Sequence, residues 1–254
     1  MEFKVPVRGN KKLREIVKRL NANRAIKTLW RASNIVAIDR LMLTDHGPVH
    51  VKIVTNIALK MLRLLVASGV EPSICKDYGL TSDDAEVVIL LAAALHDIGH
   101  PVHRVDHEVF SVVLASQYLP SLLEGVYEEE TRVIITTEAL HAIHAHRKDV
   151  KALTLEAGIL SVADALDIEQ GRARIPFDAG STSIHAVSAV SIEKVTISKG
   201  RKRPVRIDIV MDNPAGMFQV DYLLKRKIEA SGVGEHIEVY VDPLTGKMNK
   251  RRVW

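Results

Sequence analysis

Histidines and aspartates in apolar surroundings are the residues of this sequence best suited to chemistry. Nine of the eleven histidines fall between residues 46 and 146. The adjacent pair His96 and Asp97 follows a run of Ala, Leu, Ile and Val, and Asp164 lies in an equally apolar segment, GILSVADALDI. Burying an imidazole and a carboxylate without partners is costly, so either the pair reaches solvent or a cation compensates it.

The types of these side chains narrow the choice of cation. Imidazole nitrogens and carboxylate oxygens together suit a divalent Mn, Fe, Co, Ni or Zn ion better than Ca. The chain has one cysteine, Cys75, so a structural zinc site built on thiolates is not expected. The same cysteine has no internal partner for a disulfide, which favours a reducing compartment.

Three helices are expected to position the histidines and aspartates. The first of them is predicted to begin at residue 48. The sequence TDHGP at residues 44–48 indicates a helix start, with Asp45 or Gly47 near the N-cap and Pro48 in the first turn. His50 therefore lies in the first turn of a helix that ends at Gly69.

The other two helices carry the aspartates. The segment 81–84 caps a helix that is apolar on nearly every face, which predicts a central, buried element ending at Gly99. His96 and Asp97 stand at its C-terminal end. A further helix, TLEAGILSVADALDIEQ, carries Asp164 and is predicted to close at Gly171.

The remaining pattern predicts a mainly α fold with a small C-terminal α+β domain. Residues 11–43 and 128–146 have helical periodicity. We expect a helical domain over residues 1–180, a linker at about 178–190 and a small α/β domain over 181–254. In the second domain two strands flank a basic turn and are followed by a helix and an alternating strand.

The order His50, His96, Asp97, Asp164 resembles the H…HD…D signature of the HD-domain metal-dependent phosphohydrolase superfamily. The surrounding sequences agree: DHGPVHVKIVTNIAL, AAALHDIGHP and ILSVADALDIEQGRARIPF are similar to the three motif helices. The resemblance covers residues 45–177. The tail NPAGMFQVDYLLKRKIEASGV is similar to tails of little-characterised archaeal HD-domain proteins.

The resemblance implies an all-helical bundle with the metal at its centre and a metal-bound water that attacks phosphorus. His50, His96, Asp97 and Asp164 would hold the ion, and the two aspartates would orient the water. His46, four residues before His50, competes for the role of first histidine. The chemistry suits these residues, because a divalent ion acidifies its water and neutralises charge on phosphoryl oxygens.

A second metal ion is a further implication of the resemblance. His107 lies where binuclear members often place an extra ligand, and His146, or failing that His144, would be its partner from the next helix. A mononuclear site stays open. The expected cofactor is one or two divalent ions per subunit, chosen from Mn, Fe, Co, Ni, Mg and Zn.

Contacts to substrate are predicted on two loops. His100, four residues after His96, stands where related enzymes carry a polar or charged residue facing the phosphate; as an imidazolium it would stabilise the phosphate or protonate the leaving group. His103 and Arg104 share its loop. The guanidinium groups of Arg172 and Arg174 suit bidentate phosphate binding.

The function predicted from these residues is hydrolysis of a phosphoester, such as a nucleotide or another phosphorylated metabolite, with the ester type left open. The formal net charge of +4, concentrated in basic clusters, favours anionic partners. We expect a cytoplasmic protein, since no secretory signal or membrane span is evident, and a homodimer paired through a sheet edge. The alternatives are a nucleic-acid-binding protein on the same scaffold and a di-iron oxygenase of similar fold.

Overall fold

The computed structural model of the chain describes residues 2–169, 188, 190–243 and 251–254. It confirms a mainly α-helical fold with a small sheet near the C-terminus. Among the described helices, none combines the length and apolarity needed to span a bilayer.

The α-helices were labelled in chain order. They are α1 (Lys11–Ala22), α2 (Arg24–Asn34), α3 (Pro48–Val66), α4 (Ser73–Tyr78), α5 (Ser82–Leu95), α6 (His107–Leu123), α7 (Glu129–Ala145), α8 (Leu155–Ala165) and α9 (Lys225–Ser231). There are also two π-helical segments, Ile35–Arg40 and Gln219–Leu224, and two 3-10 segments, Pro214–Gly216 and Gly234–His236.

Helix α5 is the buried centre of the helical part, as its sequence predicts. Every residue from 87 to 95 is buried, because a helix that is apolar all round can be accommodated only inside other elements. The predicted cap is present as a capping box, in which Thr81 N donates to Asp84 Oδ2 at 2.9 Å.

The prediction of one helix over residues 11–43 is wrong in detail, because the helix is interrupted at Asn23. The Asn23 side chain accepts a hydrogen bond from Ile26 N at 3.0 Å and so starts α2 as a new helix. Helix α2 then holds the end of α5: Trp30 Nε1 donates to Ala94 O at 2.7 Å, and Ser33 Oγ donates to Asp97 O at 3.0 Å.

The C-terminal segment forms a four-stranded sheet in the order β1-β2-β3-β4. Strands β1 (Ile192–Lys199) and β2 (Val205–Met211) are antiparallel, which confirms the two strands predicted around a basic turn. Strand β3 (Ile237–Pro243) pairs parallel to β2, so the chain crosses over between them through α9. The short β4 (Arg251–Arg252) pairs antiparallel to β3.

Helix α9 packs directly against α8. The amide of Ala152, just before α8, donates to Ala230 O at 3.1 Å. A Cβ atom added to Gly158 would lie 2.1 Å from the carbonyl oxygen of Ser231, so only glycine permits this approach. Apolar side chains from the helices and the sheet form one buried cluster. The predicted boundary at residue 180 lies outside the described residues and stays a prediction.

Helix α8 ends at Ala165, which is earlier than the sequence suggests. The predicted continuation towards Gly171 is wrong for residues 166–169, which follow the helix as a turn and irregular backbone. Asp167 lies in this stretch, and its side chain contacts His50 of α3.

Candidate metal centre

Four side chains from three helices converge in the interior. His50 lies in the first turn of α3, His96 and Asp97 follow α5, and Asp164 lies near the end of α8. His50 Nε2 and His96 Nε2 are 3.1 Å apart. Asp97 Oδ2 lies 3.2 Å from His50 Nε2 and 3.4 Å from His96 Nε2, and Asp164 Oδ1 lies 3.3 Å and 3.7 Å from the same two atoms. We call these four residues the four-residue cluster.

The spacing of His50, His96 and Asp97 fits a bound divalent ion, and these three residues form a group suited to one. Asp164 lies close to both imidazoles without belonging to that group. Ligands about 2.1 Å from one ion are separated by about 3.0 Å at right angles and about 3.4 Å in a tetrahedron. Asp97 Oδ2 is buried and has no hydrogen-bond partner among the described residues. A buried, unpartnered carboxylate oxygen facing two imidazole nitrogens is accounted for by a cation.

The orientations of the buried histidine rings support this interpretation. In three of the buried rings, those of His50, His96 and His146, Nδ1 faces an oxygen acceptor and therefore carries the hydrogen, so the Nε2 lone pair faces the carboxylates. The acceptors are Asp167 Oδ2 for His50 at 2.6 Å, Ala93 O for His96 at 2.9 Å and Ile143 O for His146 at 2.5 Å.

A second group of imidazoles surrounds the other oxygen of Asp97. Oδ1 of Asp97 lies 3.3 Å from His107 Nε2, 3.5 Å from His100 Nε2 and 3.8 Å from His146 Nε2. His144 is exposed, so the structure brings His146 rather than His144 to this point. Asp97 thus belongs both to the four-residue cluster and to a second group suited to a metal ion, which it forms with His107 and His146.

Neighbouring side chains hold the pKa of both aspartates low. Burial by itself raises the pKa of Asp97, but the nearby imidazoles, first His96 and then His100, hold this pKa well below its ordinary range. Burial also opposes ionisation of Asp164, whose pKa is held well below its ordinary range chiefly by Lys227, with help from His50 and His96.

Lys227 is a site residue that sequence reasoning did not find. Its Nζ lies 2.6 Å from Asp164 Oδ2, and its side chain is 6% exposed. It comes from α9, in the C-terminal segment to which no role in the site was assigned. Its position among Lys225, Arg226 and Lys227 gave no signal, because helical periodicity alone does not say which of three adjacent cations faces inward.

His100 joins Asp97 to an adjoining cavity of about 370 Å³. His103 and Arg104, both predicted to contact substrate, also line this cavity, opposite apolar residues of the first π-helical segment such as Val36. Burial lowers the pKa of His100, and the charge of Asp97 opposes this effect. Neither ring nitrogen of His100 has a hydrogen-bond partner among the described residues.

The structure separates the two candidates for the first histidine of the motif. His50 Nε2 lies in the four-residue cluster. The Nδ1 atom of His46 instead lies 2.7 Å from Thr44 O, and the His46 ring packs against that of His100 with centroids 4.7 Å apart and planes inclined by 53°. His46, Asp97 and His100 form a further group that is suited to a metal ion. The predicted phosphate ligands Arg172 and Arg174 lie outside the described residues.

Comparison with known proteins agrees with this geometry. The family model for the HD domain matches residues 50–169, the span that contains the four-residue cluster. The chain is also 44% identical over 218 residues to the uncharacterized protein MJ1020 of Methanocaldococcus jannaschii, which covers 86% of this chain and 84% of that relative. On the matched domain and this extended similarity, the chain belongs to the HD-domain superfamily, whose members are in general metal-dependent hydrolases.

Proposed function

We propose that the protein hydrolyses a phosphoester by attack of an activated water at the four-residue cluster. The observation that carries the proposal is that His50 Nε2 and His96 Nε2 lie 3.1 Å apart, and that each lies 3.2 to 3.7 Å from one oxygen of Asp97 and one oxygen of Asp164. A bound divalent ion would supply an acidified water and neutralise charge on the phosphoryl oxygens. The ligands proposed for it are His50, His96, Asp97 and Asp164.

A second ion fits between Asp97 Oδ1, His107 and His146. The support for this ligand pair is the approach of both Nε2 atoms to Oδ1, at 3.3 Å and 3.8 Å, together with the hydrogen bond from His146 Nδ1 to Ile143 O, which turns the Nε2 lone pair of His146 inward. The proposal is therefore a binuclear centre in which Asp97 contributes one oxygen to each ion. Elemental analysis of the purified protein would identify the ions among Mn, Fe, Co, Ni, Mg and Zn.

The residues around the centre are proposed to bind and protonate the substrate. His100 lies between Asp97 and the cavity, so a phosphate at the centre would meet its ring. Because a nearby anion favours the imidazolium, bound phosphate would oppose the effect of burial and let His100 donate a proton to the leaving oxygen. His103 and Arg104 offer polar contacts in the cavity wall, and Arg172 and Arg174 are proposed as phosphate ligands.

The proposed substrate is a small phosphorylated metabolite, with a nucleotide as the leading candidate. A cavity of about 370 Å³ lies within the size range of small-molecule sites. The homodimer predicted from the sheet edge stays a prediction.

A metal-supplemented substrate screen tests this function. The protein is assayed with Mn, Co, Ni, Mg and Fe against p-nitrophenyl phosphate, bis-p-nitrophenyl phosphate, nucleotides and cyclic nucleotides. We expect turnover of at least one class, abolished in Asp97→Ala. Asp149→Ala is the matched control, because Asp149 is an exposed carboxylate paired with Arg147, and it retains activity. Absence of turnover with every metal, or full activity of Asp97→Ala, refutes the proposal.

A further inference from the structure

Lys227 is the inward-facing member of three consecutive cationic residues on α9. Lys225 pairs with Asp221 at the surface, with Nζ 2.5 Å from the carboxylate, and the guanidinium of Arg226 lies over the ring of Tyr222. Lys227 instead lies in the interior and contacts Asp164. It is outside the span matched by the HD-domain model. Burying an ammonium group is costly, so its placement beside a proposed metal ligand calls for a reason.

The two oxygens of Asp164 have different neighbours. Oδ1 faces the imidazoles, 3.3 Å from His50 Nε2 and 3.7 Å from His96 Nε2. Oδ2 accepts a hydrogen bond from Lys227 Nζ at 2.6 Å. The carboxylate therefore presents a single oxygen to the cluster, while its second oxygen is bound by a cation from another part of the chain.

We propose that Lys227 is a positioning residue for the metal: by binding Oδ2 it makes Asp164 a one-oxygen ligand and makes the C-terminal segment part of the metal centre. The inference rests on the metal site of the proposed function. A carboxylate that binds through one oxygen leaves a coordination position open, and catalytic metal sites need such a position for water or substrate.

Two effects of Lys227 on metal binding oppose each other. Its ammonium repels a nearby dication, which weakens metal binding. Its hydrogen bond to Oδ2 also fixes the orientation of Asp164 before the metal arrives, which strengthens binding. Loss of an outer partner of a metal ligand generally lowers metal affinity or activity by about 10- to 100-fold, so we expect the second effect to win.

Metal binding by the full-length protein tests the inference without any need for turnover. The affinity for Mn²⁺ is measured by competition with a chelator, and the visible absorption of the Co²⁺-loaded protein is recorded. Lys227→Met removes the charge with little change in side-chain length, Lys227→Arg retains it, and Lys225→Met removes a charge from the same helix away from the cluster.

We expect Lys227→Met to bind Mn²⁺ about 10- to 100-fold more weakly, with partial recovery in Lys227→Arg and no change in Lys225→Met. The Co²⁺ absorption of Lys227→Met should weaken, as expected when a second carboxylate oxygen enters the coordination shell. Wild-type affinity together with an unchanged Co²⁺ spectrum would overturn the inference, because Lys227 would then only neutralise a buried carboxylate.

A measurement on the wild-type protein covers the case in which Lys227→Met does not fold. Metal should slow amide hydrogen exchange in α9 more than in α1, which contributes no residue to the cluster. Equal effects on the two helices contradict the inference. Failure of this inference and failure of the proposed function can be told apart. If the protein shows this metal dependence but hydrolyses nothing in the screen, only the phosphohydrolase assignment is refuted.

Discussion

Replacement of Asp167 by asparagine tests whether His50 is oriented as a metal ligand. Asp167 Oδ2 lies 2.6 Å from His50 Nδ1, and both side chains are almost fully buried, with exposed fractions of 4% and 0%. A carboxylate in this place fixes the ring and makes its other nitrogen a stronger donor to a metal. Asparagine keeps the shape and one acceptor oxygen but removes the charge.

The size of the effect follows from that single lost charge. A hydrogen bond to a charged group contributes about 1.5–3 kcal/mol and one between neutral groups about 0.5–1.5 kcal/mol. The difference is about 1–1.5 kcal/mol, and about 1.4 kcal/mol corresponds to a tenfold change in an equilibrium constant. We therefore expect Asp167→Asn to weaken metal binding about tenfold, at the lower end of the range seen for such outer partners.

A chelator-competition titration with Mn²⁺ or Zn²⁺ measures the affinity, and circular dichroism verifies that the variant is folded. Asp149→Asn, an exposed carboxylate that pairs with Arg147, is the control and should bind metal as the wild type does. If folded Asp167→Asn retained wild-type affinity, the carboxylate–imidazole contact would have no part in metal binding.

Three further predictions concern stability and stoichiometry. Burial raises the pKa of Asp84, but hydrogen bonds, above all the one from Lys12, hold this pKa below its ordinary value of 3.8. The ionised Asp84 therefore stabilises the fold above pH 3.8, and this stabilisation is lost as the pH falls below that value. Asp84→Asn should thus lower the free energy of unfolding in urea by about 1–3 kcal/mol at pH 7 and by less near pH 3; an equal loss at both values contradicts this reasoning. Gly158→Ala should lower stability by about 1–3 kcal/mol, because its Cβ would lie 2.1 Å from Ser231 O, and an unchanged melting temperature would refute that. In His146→Ala, elemental analysis should find one divalent ion per chain in place of two, whereas a wild-type protein that holds a single ion contradicts the binuclear centre.

The parts of the site that could be predicted from sequence are those in which local pattern dictates structure. Helix α5 is apolar on all faces, so it could only be central, and a polar pair at its end had to meet other polar groups inside. The first turn of α3 was likewise set by Gly47 and Pro48, which start the helix and fix where His50 lies. Motif order then indicated which distant aspartate joins them.

The parts that could not be predicted depend on distant packing or on subtle helix ends. Asn23 breaks the first long helix by capping a new one, a signal that is present in the sequence but weak inside continuous periodicity. Asp167 lies three residues after Asp164, so a place near the site could be predicted for it, but its contact with His50 across 117 positions depends on packing. Lys227 reaches Asp164 across 63 positions, and only the packing of α9 on α8 decides that it faces inward.

The contacts from α2 to the end of α5 extend the set of residues needed to transplant this site. The carbonyl oxygens of Ala94 and Asp97 lie where a helix runs out of internal partners, and both accept a hydrogen bond from α2, from Trp30 and Ser33 respectively. Both donors precede the span matched by the HD-domain model, which begins at residue 50. A design that grafted only the matched span onto another scaffold would remove the side-chain donor to Ala94 O, and it would leave Asp97 O with the amide of His100 but without Ser33. The portable module must therefore begin at or before α2.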